Sequence, residues 1–163
     1  MMSAAAPENA VPLLPLPPAQ ELGEVFSFLA PPEIETLLPY FSLREWPAEH
    51  VIMRDGEPGD FMGFLLTGKL AVKKEAAFRG RYVLMALIEP GGMVGEIAVV
   101  EENGQRKATV VTVEKSRVLL LTVEAMERLL LEQNDLAVKL LKRIIHVLGS
   151  RLRKASERLS RIL

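Results

Sequence analysis

A glycine-rich stretch in the middle of the chain ends in residues that could bind a sugar phosphate. Three of the five residues from Gly91 to Gly95 are glycine, which lets the backbone approach a ligand closely and adopt positive φ. A helical turn over residues 97–100 would present free amide N–H groups, which form a natural cradle for an anion. Glu96 offers a carboxylate to sugar hydroxyls, and ten residues later Arg106 offers a planar guanidinium that can hold a phosphate through two hydrogen bonds. These residue types at this spacing predict a pocket for a nucleotide monophosphate.

Four short motifs occur in a fixed order along the chain. They are G-E-P-G-D at 56–60, a lone glycine at Gly68, G-E-I-A at 95–98 and R-K-A-T at 106–109. We interpret the first as a structural turn, because its glycines supply unusual φ/ψ and its acids can hydrogen-bond the loop. Together the four motifs resemble the cyclic-nucleotide-binding domain shared by the bacterial catabolite activator protein, protein kinase A regulatory subunits and cyclic-nucleotide-gated channels. The resemblance covers about four-fifths of the chain, from Phe26 into the C-terminal helix.

The resemblance implies a ligand, cyclic AMP or cyclic GMP, and roles for the residues that match. Glu96 would receive the ribose 2′-hydroxyl, and Arg106 would pair with the exocyclic oxygens of the cyclic phosphate. The backbone amides of Ile97 and Ala98, next to Gly95, would support the same phosphate.

Three further side chains complete the predicted ligand set. Lys107 stands where many family members have Ser, Thr or Ala, and it could either strengthen phosphate binding or point to solvent. Thr109 belongs to the same strand, although its side chain could also face the core. In dimeric bacterial members the long helix covers the base, which makes Ser156 the best candidate for a polar contact to the purine. Gly92 and Val94 replace an acidic and an aromatic residue that are usual in the family, and the choice between adenine and guanine stays open.

The elements that must position these residues are mostly short strands. Seven segments with β-branched or alternating residues are separated by clusters of Gly, Pro, Asp and Asn, which is typical of a sandwich or barrel. Two short helices are predicted before them, at Glu21–Leu29 and Pro32–Leu38. With the resemblance, this favours a mainly β fold with helices: a double-stranded β-helix (jelly-roll) barrel with short N-terminal helices and a long C-terminal helix. The predicted strands are Phe41–Trp46, His50–Met53, Phe61–Leu66, Lys69–Lys74, Arg81–Ile88, Ala108–Val113 and Arg117–Leu121.

The C-terminal segment predicts a long helix that begins at Asn134 or Asp135. Its apolar positions are alternately three and four residues apart, which is the heptad seam of a coiled coil. We expect a parallel homodimer through this seam; the alternative is a helix folded back over its own barrel, for which a wider apolar stripe is expected. The predicted interface residues are Leu141, Ile145, Leu148, Leu152 and Leu159.

A cluster of basic residues lies along the same predicted helix. We interpret it as the solvated face of the coiled coil, and a nucleic-acid contact is the alternative. The cluster consists of Arg151, Arg153, Lys154, Arg158 and Arg161.

Composition narrows the class of protein. The chain has 163 residues, 49% hydrophobic and 25% charged, as in ordinary soluble domains, and a net charge of −1 provides no global attraction to nucleic acid or membranes. The absence of cysteine excludes disulfides, thiolate nucleophiles, iron–sulfur clusters and cysteine zinc sites. Apolar runs are too short to insert into a membrane. We expect a cytoplasmic protein with a disordered or loosely docked arm at 1–20, a ligand-binding barrel at 21–133 and a dimerising helix at 134–163.

These features favour a regulatory cyclic-nucleotide sensor that changes conformation and signals through an unidentified effector protein. One alternative is a ligand-free dimerisation domain of the same fold. Another is a truncated transcription regulator, since the chain ends within the long helix and before any helix-turn-helix, so direct nucleic-acid binding is not expected. No nucleophile–base pair, metal-ligand cluster or P-loop lysine motif is apparent, so we expect no enzymatic activity, catalytic residue, metal site or cofactor.

Overall fold

A computed structural model of the chain describes residues 11–78 and 80–163, which form two antiparallel sheets with helices before and after them. The first sheet contains, in spatial order, β1 (Leu13–Leu14), β2 (Ser42–Trp46), β9 (Ser116–Thr122), β4 (Phe61–Thr67) and β7 (Met93–Val94). The second contains β3 (Val51–Met53), β8 (Thr109–Thr112), β5 (Leu70–Glu75) and β6 (Tyr82–Ile88). This arrangement fits a jelly-roll, and the predicted fold class is confirmed.

All seven predicted strands are present, with ends that agree to about one residue. The turn residues between them fixed these boundaries, because Gly, Pro, Asp and Asn supply backbone conformations that strands do not use. The sequence does not predict β1 and β7. Each has only two residues, which is too short for an alternating pattern to be visible.

A buried apolar cluster lies between the two sheets. Trp46, Leu65 and Val118 from the first sheet pack there with Leu70 and Val110 from the second, and all five are at most 4% exposed. Burial of each large side chain contributes about 1.5–3 kcal/mol relative to exposure. The cluster therefore holds the two sheets together and fixes the strands that border the site.

The N-terminal region differs from the prediction. The helix expected over Glu21–Leu29 is wrong over most of that range: a 3₁₀ helix at Ala19–Leu22 is followed by turns through residue 28. Gly23 lowers helix propensity, and burial of the apolar residues dictates the local shape. Phe26, fully buried, makes edge-on ring contacts with Phe41 and Phe64 at centroid distances of 5.6 and 5.2 Å.

The second predicted N-terminal helix is present as α1 (Pro31–Leu37), and a 3₁₀ turn at Leu38–Tyr40 leads into β2. The first part of the arm predicted for 1–20 lies outside the described residues. From residue 11 on the arm is docked: Val11 is buried, and its carbonyl accepts a hydrogen bond of 2.6 Å from Arg44 Nη1.

Two helices follow the last strand: α2 (Val123–Glu132) and α3 (Asn134–Ile162). Thr122 caps α2, since its Oγ1 accepts a hydrogen bond of 3.1 Å from the Ala125 amide. None of the described helices has the length and apolar character needed to span a bilayer.

The long helix α3 divides into two halves with different surroundings. Its first half belongs to the core, through four buried residues from Leu136 to Ile144, so the predicted boundary at 133/134 does not separate two independent units. From Leu152 to the C-terminus every residue is exposed. The first half of α3 therefore folds back onto its own domain, as the alternative interpretation expects, and pairing of the second half with another chain stays a prediction.

The predicted dimer seam divides in the same way. Leu141 and Leu148 are partly buried against the core of their own chain, whereas Ile145, Leu152 and Leu159 are 67%, 70% and 59% exposed. The exposed members form the apolar stripe that is open to a partner.

Candidate functional site

A cavity of about 570 Å³ lies between the edge of the second sheet, the turn after β7, the segment leading into β8 and one face of α3. Its volume lies in the range of small-molecule sites, roughly 300–1,000 Å³. Glu96 and Arg106 both line it, although each side chain is almost fully buried (residues 6% and 7% exposed). The two residues that carried the sequence-based prediction are thus brought together.

Gly95 makes the sharp turn that places Glu96. Its φ is +69°, in the left-handed region that favours glycine, and the 3₁₀ helix Glu96–Val99 starts directly after it. The predicted helical turn is therefore present, one residue earlier than expected. Ile97 and Ala98 line the cavity, but the Ala98 amide donates to the Gly95 carbonyl at 3.2 Å. That amide, predicted to support a phosphate, is used by the turn itself.

Arg106 is held in place by several contacts. Its Nη1 donates to the Phe61 carbonyl at 2.7 Å, and the guanidinium carbon lies 4.6 Å from the centre of the Phe61 ring. Nη2 lies 3.6 Å from Asp60 Oδ1. A buried guanidinium fixed in this way at a cavity wall is preorganised for an anion.

The G-E-P-G-D turn at 56–60 positions this arginine and does not line the cavity with its acids. The Arg106 amide donates to the Glu57 carbonyl at 2.7 Å, and the Arg106 carbonyl accepts from the Gly56 amide at 2.8 Å. With the Asp60 contact, these bonds tie the turn to both ends of Arg106. The structural interpretation of the motif agrees with these contacts.

Arg151, on α3, is the main site residue that sequence analysis missed. Its Nη1 donates to Glu96 Oε1 at 2.6 Å, and its Nη2 donates to the Met93 carbonyl at 2.6 Å. The Glu96 side chain is 8% exposed and that of Arg151 is 40% exposed, so the carboxylate is shielded from water whereas the arginine reaches it from the solvent side. It connects the C-terminal helix directly to the carboxylate that is predicted to bind a sugar.

The interpretation of the basic cluster as a solvated coiled-coil face is therefore wrong for part of it. Arg151, Lys154 and Arg158 line the cavity, whereas Arg153 and Arg161 are exposed and do not line it. Positions 151, 154, 158 and 161 are three and four residues apart and share one helix face, so the spacing alone does not show which of them reach the cavity.

The remaining predicted ligand residues have different positions. Lys107 is exposed and lines the cavity. Ser156 is exposed and does not reach the cavity of its own chain, where its neighbour Ala155 stands instead. The prediction that Thr109 binds the ligand is wrong. Ala108 and Val110 line the cavity, and because side chains alternate along a strand, Thr109 lies on the other face.

Thr109 has a structural role on that other face, because its Oγ1 accepts a hydrogen bond of 3.1 Å from the Asp55 amide. We expect Thr109→Val to lower the free energy of unfolding by about 1 kcal/mol, the usual net value of one hydrogen bond. Ligand affinity should not change. Chemical denaturation and a binding titration on the same preparation check both expectations, and a large loss of affinity at unchanged stability would restore Thr109 to the binding site.

Comparison with known proteins agrees with this geometry. The family model described as "Cyclic nucleotide-binding domain" matches residues 43–133. The "Cyclic AMP receptor protein" of Thermus thermophilus is 32% identical over 124 residues, 74% of this chain and 56% of that protein. The "CRP-like cAMP-activated global transcriptional regulator" of Mycobacterium tuberculosis is 24% identical over 139 residues, 85% of this chain and 59% of that protein. The chain thus spans less than two thirds of the length of these relatives.

Solved structures share the fold. A cyclic nucleotide-binding domain from Methylobacillus flagellatus superposes with a TM-score of 0.83 at 21% identity, covering 96% of this chain and 90% of that one. The catabolite activator protein of Thermus thermophilus gives a TM-score of 0.71 at 29% identity, covering 84% of this chain and 62% of that one. The similarity extends beyond the matched family segment to the helices on either side.

Proposed function

Because this chain belongs to the cyclic nucleotide-binding domain family, we propose that it is a regulatory sensor of cyclic AMP or cyclic GMP and not an enzyme. The observation that carries the proposal is the placement of Glu96 and Arg106, both nearly buried, on the wall of one cavity. The guanidinium would receive the exocyclic oxygens of the cyclic phosphate, and the carboxylate would accept a hydrogen bond from the ribose 2′-hydroxyl.

The pair between Arg151 and Glu96 supports a route from ligand to helix. A sugar hydroxyl that bonds to Glu96 changes the environment of Arg151, whose other hydrogen bond goes to the Met93 carbonyl. The second half of α3 has no buried apolar residue to hold it against its own domain. Ligand binding would therefore shift the equilibrium between two positions of α3. The size of this shift is the difference in the ligand's binding free energy for the two positions.

Thermal unfolding tests the proposal. Cyclic AMP or cyclic GMP at about one hundred times its Kd should stabilise the folded chain by about 2.7 kcal/mol, because the ligand binds only the folded state. We expect 5′-AMP to give no shift in Tm, since it carries the same base and sugar with an open phosphate. A chain whose Tm is unchanged by both cyclic nucleotides at millimolar concentration would refute the proposal.

We also propose that the exposed half of α3 pairs with a second copy, and that the signal passes on to an effector protein. The apolar side chains of Ile145, Leu152 and Leu159 are exposed at heptad spacing. Contact of these side chains with water is unfavourable, and a parallel helix of a second copy would cover them.

We expect Leu152→Glu to convert a dimer into a monomer, because the introduced carboxylates would face each other in the seam. Leu131→Glu is the matched control: Leu131 is 87% exposed, on α2 and outside the seam. Light scattering after size-exclusion chromatography gives the mass directly. A wild-type chain that is monomeric at tens of micromolar, or a Leu152→Glu variant that stays dimeric, would contradict this role of the seam.

A further inference from the structure

A second, shallower depression of about 400 Å³ lies where the first half of α3 meets the N-terminal region. Four of its five lining residues have basic side chains, and all four are on α3: Lys139, Lys142, Arg143 and His146. The fifth is Phe28, from the turns before α1. None of these five residues lines the cavity described above, so this basic depression is a separate surface.

The basic residues form one face of the helix and repel each other. Lys139 has a like charge three and four residues further on, at Lys142 and Arg143, which is a spacing that destabilises a helix. From position 136 to position 156, α3 has no acidic residue that could compensate these charges within the helix. An anionic partner at this face would therefore relieve a repulsion that the helix retains on its own.

Two of the basic side chains are held in place by the N-terminal region. Lys139 Nζ donates to Glu33 Oε2 at 2.5 Å, and the guanidinium carbon of Arg143 lies 5.7 Å from the centre of the Phe28 ring. Side chains that are already ordered lose little conformational freedom when a partner binds. Within residues 11–78 and 80–163, Glu33 is the acidic residue that pairs with this face, and the charges of Lys142 and Arg143 are not balanced by an ion pair.

We propose that the basic depression docks an acidic segment of the effector protein, with carboxylates against Lys142 and Arg143 and an apolar side chain against Phe28. The basic face covers about 10 Å of helix length, which is the length of about three residues of an extended peptide. The inference rests on the proposed function only in giving the partner its role as effector, because docking itself requires no nucleotide. The face lies on the same helix as Arg151, which contacts Glu96, so a movement of α3 moves the docking surface.

A protein segment fits this surface better than a nucleic acid does. The Phe28 ring already contacts the Arg143 guanidinium and, edge-on at a centroid distance of 6.1 Å, the Phe26 ring, so it is not an open platform on which a base could stack. The Glu33 carboxylate beside Lys139 would also repel the closely spaced phosphates of a nucleic acid.

Pairing through the α3 seam leaves the basic depression accessible. At about 100° per residue, the centre of the basic face lies roughly 140° around the helix from the seam residues Ile145, Leu152 and Leu159. A dimer would therefore present two such surfaces, one on each copy.

The test is fluorescence anisotropy of a labelled peptide, Glu-Glu-Leu-Glu-Glu-Leu-Glu-Glu, titrated with the full chain at low salt. We expect saturable binding at tens to hundreds of micromolar, and a loss of affinity as salt is raised, because exposed charges are screened. The same peptide with glutamine in place of glutamate should not bind. Absence of saturable binding of the acidic peptide up to millimolar chain, or equal binding of the glutamine peptide, would overturn the proposal.

The double variant Lys142→Gln/Arg143→Gln should weaken peptide binding about tenfold, since each exposed ion pair contributes about threefold. Lys154→Gln/Arg158→Gln is the matched control, because it removes one lysine and one arginine from the same helix at the other cavity. Lys142→Glu leaves the contact between Arg143 and Phe28 in place, and it should weaken binding even if the double variant is poorly folded. Equal losses in both double variants would show a general charge effect and overturn the docking site.

Two further probes separate the possible partners. Tighter binding of a ten-nucleotide oligothymidylate, or of vesicles of phosphatidylserine and phosphatidylcholine, that is lost in Lys142→Gln/Arg143→Gln would assign the surface to nucleic acid or membrane and overturn the proposal.

The outcomes also separate this inference from the proposed function. A chain that binds cyclic AMP or cyclic GMP but not the acidic peptide overturns the docking site and leaves the sensor function standing. A chain that binds the peptide through Lys142 and Arg143 but binds neither cyclic nucleotide supports the docking site and refutes the sensor function.

Discussion

Arg106→Ala is expected to weaken cyclic AMP binding by at least about a hundredfold, because two charge-assisted hydrogen bonds to the phosphate are lost at about 1.5–3 kcal/mol each. The loss should be large because the guanidinium is preorganised. Arg106 is 7% exposed, and its guanidinium is fixed by the Phe61 carbonyl at 2.7 Å and by Asp60 at 3.6 Å. The side chain therefore does not have to be ordered when the ligand binds, and no binding free energy is lost on that step. Isothermal titration calorimetry gives the ratio of dissociation constants.

The same contacts make Arg106 part of the local structure, so the variant needs a control for folding. Arg106→Lys keeps the charge but cannot make two parallel hydrogen bonds to one phosphate. We expect it to bind with intermediate affinity and to unfold at a temperature closer to that of the wild type. An Arg106→Ala variant that is folded and binds cyclic AMP as tightly as the wild type would contradict the role given to this residue.

Gly95→Ala is expected to reduce affinity at least about tenfold, through the same guanidinium. A Cβ at this position would lie 2.6 Å from Arg106 Nη1 and 2.7 Å from Met53 Cε, both closer than atoms can approach. Both neighbours are ends of side chains, so the clash is relieved by moving them. Moving the guanidinium breaks its bond to Phe61 and removes it from the phosphate position, which corresponds to losing at least one charge-assisted hydrogen bond.

Gly91→Ala is the matched control for backbone strain. Gly91 has a φ of +91°, and a Cβ there would meet nothing within 4 Å. Both variants should lose about 1–2 kcal/mol of unfolding free energy from the unfavourable φ. Affinity should fall in Gly95→Ala alone. Equal affinities in the two variants would mean that the approach of Gly95 to Arg106 has no part in binding.

The strands could be predicted from sequence because their ends are set by local chemistry. Turn residues such as Asp55 and Gly68 follow the strands that end before them, and the β-branched or alternating residues between such turns identify each strand. The helix expected at 21–29 failed because its apolar spacing fits a helix, while packing of Phe26 against Phe41 and Phe64 favours turns. Tertiary burial overrides a weak local preference in such a short segment.

Glu96 and Arg106 were found from the sequence because their roles depend on residue type and on a spacing within one stretch of chain. Arg151 was not found, since its partner is 55 residues away in sequence and only the fold brings them together. Thr109 was misassigned for a related reason: membership of the right strand does not determine which face a side chain takes. The structure answers that question, because Ala108 and Val110 line the cavity and Thr109 therefore faces the other side.

The seam of α3 shows the limit of periodicity. The heptad pattern identified the apolar positions correctly, but it could not show that Leu141 and Leu148 would pack on their own domain while Leu152 would remain exposed. A continuous stripe can be shared between an intramolecular contact and a partner when a helix extends beyond the body of its domain.

Equilibrium dialysis of the chain against radiolabelled cyclic AMP, and separately cyclic GMP, tests the sensor function most directly. It needs no heat signal and no variant. We predict saturable binding of one nucleotide per chain for at least one of the two, displaced by excess unlabelled ligand and not by 5′-AMP. A folded chain that retains neither nucleotide above the level of free solution would contradict the assignment of Glu96 and Arg106 as the sugar and phosphate ligands.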